Sequence, residues 1–151
     1  VDPLASIDPS GIVVAPLLKA RALVSQDLGE SGDWRLMPSQ LGDQVEVWGV
    51  ELGQSEGEAW VGGTRRWLVD PEQGAVVERE EWPRPRSGVP IDASADVWLP
   101  SSEPRHPLVS ELFFALYYRA DLASVGIETT EYRIGLEDLD GTLGWSRALR
   151  E

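Results

Sequence analysis

The 151 residues contain no cysteine. Disulfides, thiolate nucleophiles and every cysteine-built zinc or iron–sulfur site are therefore excluded, while either redox compartment stays open. Histidine occurs once, at His106, so no imidazole pair exists to bind a metal or to divide acid and base roles. Lysine is nearly absent too: of 13 basic residues only Lys19 is lysine. The longest apolar run, "LFFALYY" at 112–118, is far short of the ~20 residues that a membrane span needs. The chain holds no G-x-x-x-x-G-K-[ST], no G-x-G-x-x-G and no H-E-x-x-H; "GQSEG" at 53–57 has the spacing G-x-S-x-G but reads as a turn between two strands, not as a strand-to-helix nucleophile elbow. Nucleotide binding by those loops, zinc-peptidase chemistry and serine hydrolysis lose their usual supports, and no cofactor is expected. The first residues lack both a basic start and an apolar signal core. A start at Val1 points to a processed or excised chain, which leaves the compartment open between cytoplasm and export.

Acid is what the sequence has in quantity. Twenty-six carboxylates against 13 bases give a net charge of −13. Such a field repels nucleic-acid phosphates and anionic headgroups, so no nucleic-acid partner and no membrane insertion are expected. It favours a cationic partner: a basic protein first, then a metal or a cationic small molecule. Plain solubility is the competing explanation. With 42% hydrophobic and 26% charged residues the chain can bury a core, and its length suits one domain over 1–151. Seven tryptophans, at 34, 48, 60, 67, 82, 98 and 145, exceed what a core of this size calls for. Most are expected inside, with one or two left for a binding face.

The hydrophobic pattern predicts an α+β fold, an antiparallel sheet of four to six strands with two main helices packed on one face. Residues 1–14 read as an irregular lead-in. A helix starts near Ala15 and places Leu17, Ala20, Val24 and Leu28 on one face before Gly29 caps it. "DWRLMP" is a short strand that Pro38 should stop. Residues 43–52, 59–70 and 75–82 form a meander, with a bulge or close backbone approach at Gly62–Gly63. Residues 83–92 are read as a Pro-rich internal loop without regular structure. "ADVWLP" is a short strand. A buried helix is expected from Pro107 to about Val125, ended by Gly126, and "IETTEYRIGLEDL" is one further strand. "GTLGWSRALRE" closes the chain as a strand or a short helix. "LEDLDGT" at 136–142 has Asp138, Asp140 and Gly141, but it lacks the remaining ligands of a calcium loop and reads as a turn.

The most legible stretch is "RRWLVDPEQGAVVERE" at 65–80. Pro71 fixes φ, Asp70 can bond the turn backbone and Gly74 supplies a positive φ, which together make a hairpin. Glu78 and Glu80 share a face by the period of two, and Glu81 and Trp82 follow. The two carboxylates on one face could be an acid–base pair, a metal site or a docking ridge for a cation, with Glu81 and Trp82 as further binding candidates. They could equally be a solvent face neutralised across the ladder by Arg65 and Arg66. Asp92, Asp96 and His106 are the remaining binding candidates; an aromatic pocket with the Pro-rich loop and His106 at its mouth would use them. No catalytic and no metal-ligating set emerges.

The run "WGVELGQ" followed by "WVGGTRRWLVDPEQGAVV" resembles YrhB-like immunity proteins of bacterial toxin systems over residues 48–77. That resemblance implies a small, acidic, non-catalytic protein that binds another protein. Three functions stay in play: an acidic protein-binding module of immunity, inhibitor or accessory type; a small-ligand or enzyme domain with an aromatic-lined pocket; and a structural domain of a larger secreted assembly. No oligomeric state follows from the sequence.

Overall fold

The computed structural model describes residues 14–29, 33–101 and 103–150. The expected 1–14 lead-in lies outside them, except for Val14. The elements follow in the order α1 (Val14–Leu28), β1 (Trp34–Leu41), β2 (Gln44–Ser55), β3 (Glu58–Asp70), β4 (Ala75–Trp82), β5 (Ser87–Pro90), β6 (Asp96–Pro100), α2 (Val109–Tyr118), β7 (Ser124–Glu128), β8 (Tyr132–Leu139) and β9 (Thr142–Leu149). The class is α+β. Its strands form two sheets. One runs β1-β2-β3-β4 with β5 also on β3, and the other runs β6-β7-β8-β9. The chain divides into two compact units. One takes the chain up to Gly49 together with Arg65–Glu81; the other takes Val50–Thr64 together with the chain from Trp82.

In the first unit α1 presents the face its periodicity prescribes. Ala20 and Val24 are fully buried against Val45, Val47, Trp67 and Val69, with Leu17 and Leu28 packed at the margin. Each large apolar side chain buried in this way contributes roughly 1.5–3 kcal/mol. Gly29, at φ +64°, ends the helix by donating its N–H to the Ser25 carbonyl at 3.2 Å. Strand β1 does not stop at Pro38 but continues to Leu41. It is an outer strand of its sheet, and there a proline with no N–H costs no ladder bond on its open side.

The second unit departs from the sequence reading in three places. Part of the Pro-rich stretch is regular after all: β5 pairs antiparallel with β3, from Glu58↔Pro90 to Val61↔Ser87. Pro83 and Pro85 lie before the strand and Pro90 at its last position, so none interrupts a central ladder. The second helix is also shorter than its apolar run. It begins after Leu108, which is extended at φ −71°, ψ 155°, and ends at Tyr118 in a 3-10 turn over Arg119–Asp121. Ser124–Glu128 then forms β7, parallel to β6, with Val125 and Ile127 buried in its ladder. Gly126 is thus a mid-strand residue, not a cap. "IETTEYRIGLEDL" is divided by a turn between β7 and β8, which pair antiparallel from Gly126↔Gly135 to Glu128↔Arg133. The acidic turn at 138–142 is a hairpin turn: Asp140 and Gly141 take φ 54° and 83°, and the Gly141 N–H donates to Asp138 Oδ1 at 2.7 Å.

Candidate functional site

The β3–β4 hairpin is built by its turn. Asp70 Oδ1 accepts the N–H groups of Glu72 and Gln73, each at 2.9 Å, and the Gly74 N–H reaches the Asp70 carbonyl at 2.9 Å. Gly74 holds φ +65°, the conformation a side chain resists. This turn brings arginines on β3 beside glutamates on β4. Arg66 Nη1 lies 3.0 Å from Glu80 and 3.8 Å from Glu78, while its Nε donates to Glu46 Oε1 on β2 at 2.5 Å. Glu78 and Glu80 therefore share a face, as the period of two requires. The bond from Arg66 holds the Glu46 carboxyl below its ordinary value, and that from Glu46 raises the Arg66 guanidinium above its own. Glu81 pairs instead with Arg65 at 3.5 Å and Arg79 at 3.6 Å. Asp27 on α1 completes the group, accepting Trp67 Nε1 at 2.9 Å and Arg79 Nη1 at 3.1 Å.

Asp92, Asp96 and His106 lie in the other unit, and each is exposed. Asp92 accepts the backbone N–H of Ser94 at 2.8 Å and its hydroxyl at 2.7 Å; the backbone bond is the main reason its carboxyl is held below the ordinary value. Asp96 accepts the Ser124 hydroxyl at 2.6 Å, across the β6–β7 pair. His106 stands at an exposed bend before α2. Trp82 is half-buried at the end of β4. No histidine–carboxylate pairing comes from these residues. An apolar depression of about 650 Å³ is lined by Pro16, Leu18, Lys19 and Ala22 of α1 with Pro71 and Glu72 of the hairpin turn. Its described lining carries no aromatic side chain and none of the candidate residues, so the aromatic-mouthed pocket is not what this depression is. Among the described residues no group of three or more His, Asp or Glu could hold a metal ion.

The tryptophan surplus has a structural cause that the sequence does not display. Three tryptophans lie on glycines of a neighbouring strand. A Cβ on Gly49 would stand 2.6 Å from Trp67, one on Gly53 would stand 2.0 Å from Trp60, and one on Gly126 would stand 2.4 Å from Trp98. Each ring occupies the space that its partner's missing side chain leaves, and it shields the bare backbone, a cross-strand aromatic rescue. Trp98 nevertheless stays 45% exposed, and Arg133 lies over its ring at 5.6 Å. Gly63 answers a different need. A Cβ there would stand 2.9 Å from the Trp82 carbonyl oxygen, the close backbone approach read from the glycine pair.

Sequence reasoning passed over the most enclosed charged pair, Arg84 with Glu111, at 2.9 Å and both buried. Arg84 also donates to the Val61 carbonyl at 3.0 Å, the Ser87 hydroxyl at 2.9 Å and the Pro100 carbonyl at 2.9 Å. The second Glu111 oxygen accepts the Ser101 hydroxyl at 2.6 Å and the Leu108 N–H at 2.8 Å. One guanidinium and one carboxylate thereby fasten β3, β5, the end of β6 and the start of α2. The available signal was Glu111 itself, the only charged residue of the largely apolar helix α2. These bonds tie parts of the fold to one another, so the pair serves as a clamp.

No protein-family model, no curated protein and no solved structure matches the chain.

Proposed function

We propose that the chain is a non-catalytic, acidic protein-binding module, of immunity, inhibitor or accessory type, that receives a basic partner on its β3–β4 hairpin. One observation carries this reading. Five carboxylates (Asp27, Glu46, Glu78, Glu80 and Glu81) gather around three guanidinium groups (Arg65, Arg66 and Arg79), and those of Glu78, Glu80 and Glu81 remain about half-exposed despite their pairing. The cluster keeps an excess of negative charge on an ordered surface. The net charge of −13 adds a long-range field that speeds encounter with a cation-rich surface. The resemblance to YrhB-like immunity proteins covers β3 and the turn of this hairpin, stopping at Val77 before the β4 glutamates, and supports the same class.

The reading is tested by affinity capture from the native host at about 0.05 M and 0.5 M salt, where exposed charges pass from weakly to strongly screened. A basic protein should be retained at low salt, released at high salt and lost with Glu78→Lys/Glu80→Lys. The Asp92→Asn/Asp96→Asn variant should retain it. Capture that survives both salt and charge reversal would sink the proposal.

A further inference from the structure

Strand β9 is the last strand of its sheet and, among the described residues, pairs only with β8, from Tyr132↔Leu149 to Leu139↔Thr142. Its backbone polarity can be read from one bond: the Arg150 N–H donates to the Glu131 carbonyl at 2.9 Å, one pair beyond the end of the ladder. In an antiparallel ladder, hydrogen-bonded pairs alternate with non-bonded ones. Residues 142, 144, 146 and 148 therefore bond inward to β8. Leu143, Trp145, Arg147 and Leu149 turn their N–H and C=O groups to the open edge.

The same four residues project from one face of the sheet, the face that carries Ile134 and Leu136 on β8. Leu143, Trp145 and Leu149 are 48%, 41% and 74% exposed. Among the glycines whose surroundings are described, none has one of these three side chains as a nearest neighbour. The strand holds one charge, Arg147, and no proline, so it lacks the usual guards of a free edge.

We propose that β9 pairs with β9 of a second copy, antiparallel about a two-fold axis at Ser146, so that two four-stranded sheets become one of eight strands. Only the outward-facing residues can exchange backbone bonds, and this register uses them all. Leu143 meets Leu149 of the second copy, and Trp145 meets Arg147. The Arg147 guanidinium already lies 3.4 Å over the Tyr132 ring. The second copy's Trp145 comes to its other side, so the one cation of the edge stands between two aromatic rings. The strand is thus complementary to itself in backbone, apolar contact and cation–π pairing. The net charge of −13 on each copy opposes the association, so added salt should strengthen the dimer.

Sedimentation equilibrium of the whole chain over micromolar to millimolar concentration provides the test. A monomer–dimer equilibrium that tightens with salt is expected. Arg147→Pro removes one outward N–H without touching the β8 ladder; it should leave a folded protein and weaken dimerisation at least tenfold. Trp145→Lys should do the same through the side chain. Because the chain has no cysteine, Ser146→Cys reports the axis directly: it should form a covalent dimer under mild oxidation, while Thr142→Cys should not. A chain that stays monomeric throughout overturns the proposal. So does a dimer untouched by Arg147→Pro and Trp145→Lys, or one that Thr142→Cys links as readily as Ser146→Cys.

Discussion

Strand β4 ends its sheet with Glu78-Arg79-Glu80-Glu81, whereas β9 ends the other sheet with Leu143, Trp145 and Leu149 on one face and Arg147 as its only charge. Both are eight-residue strands closing a hairpin, so length and topology do not separate them. Chemistry does. The β4 charges are matched to arginines within its own hairpin, and they deny a neighbouring strand an apolar landing. The β9 edge leaves apolar surface and outward backbone groups together, and water is a poor final partner for that combination. One edge suits a charged visitor that competes for ion pairs; the other suits another strand.

Surface charges on β4 should be cheap to alter and enclosed ones costly, and the largest effect is expected at the buried pair. Glu111→Ala should cost about 3–5 kcal/mol in urea denaturation, because Arg84 would be left charged and enclosed. A loss below about 1 kcal/mol would mean that burial does not rank the charges here. Arg66→Ala comes next. It strands the half-buried Glu46 beside Glu78 and Glu80, and a destabilisation of about 1–2 kcal/mol is expected at neutral pH.

Acid should reveal the same hairpin. Glu46 is held below its ordinary value of 4.5 by Arg66, and Glu128 below 4.5 by Arg133 with help from Arg150. A depressed folded value means the folded state favours the charged form. That stabilisation is complete above the ordinary value and is lost as pH falls through the lower folded one. Stability measured from pH 7 to pH 3 should therefore decline below about 4.5, and Arg66→Ala should make the decline shallower. An unchanged slope in that variant would remove Arg66 as its source. The smallest effect belongs to Glu78→Gln and Glu81→Gln, each within about 0.5 kcal/mol by thermal melting. A larger loss would mark the β4 acids as structural and weaken their assignment to a partner.

Local chemistry was legible wherever a single residue enforces its own conformation. Gly29 and Gly74 need positive φ, Asp70 bonds its own turn, and α1 has one apolar face; each stands where the pattern puts it. The cross-strand neutralisation of Arg65 and Arg66 by Glu81, Glu80 and Glu78 was also accessible, since a hairpin places those side chains together. Range was the obstacle elsewhere. "LFFALYYRADLASV" is apolar at helical spacing throughout, yet Ser124–Glu128 leaves the helix for a parallel pairing with β6, 28 residues earlier in register. Arg84 and Glu111 are 27 residues apart, and nothing near either announces the other.

Composition and pattern by themselves determined the α+β class, the turns and helix α1, the acidic field and the exclusion of cysteine chemistry, because each depends on residue type or on neighbours a few positions away. Only the tertiary structure decided which tryptophans cover glycines, which charges are enclosed, and that β9 rather than β4 is the bare edge. Those outcomes depend on strand order and register, and both are set by contacts between segments far apart in the chain.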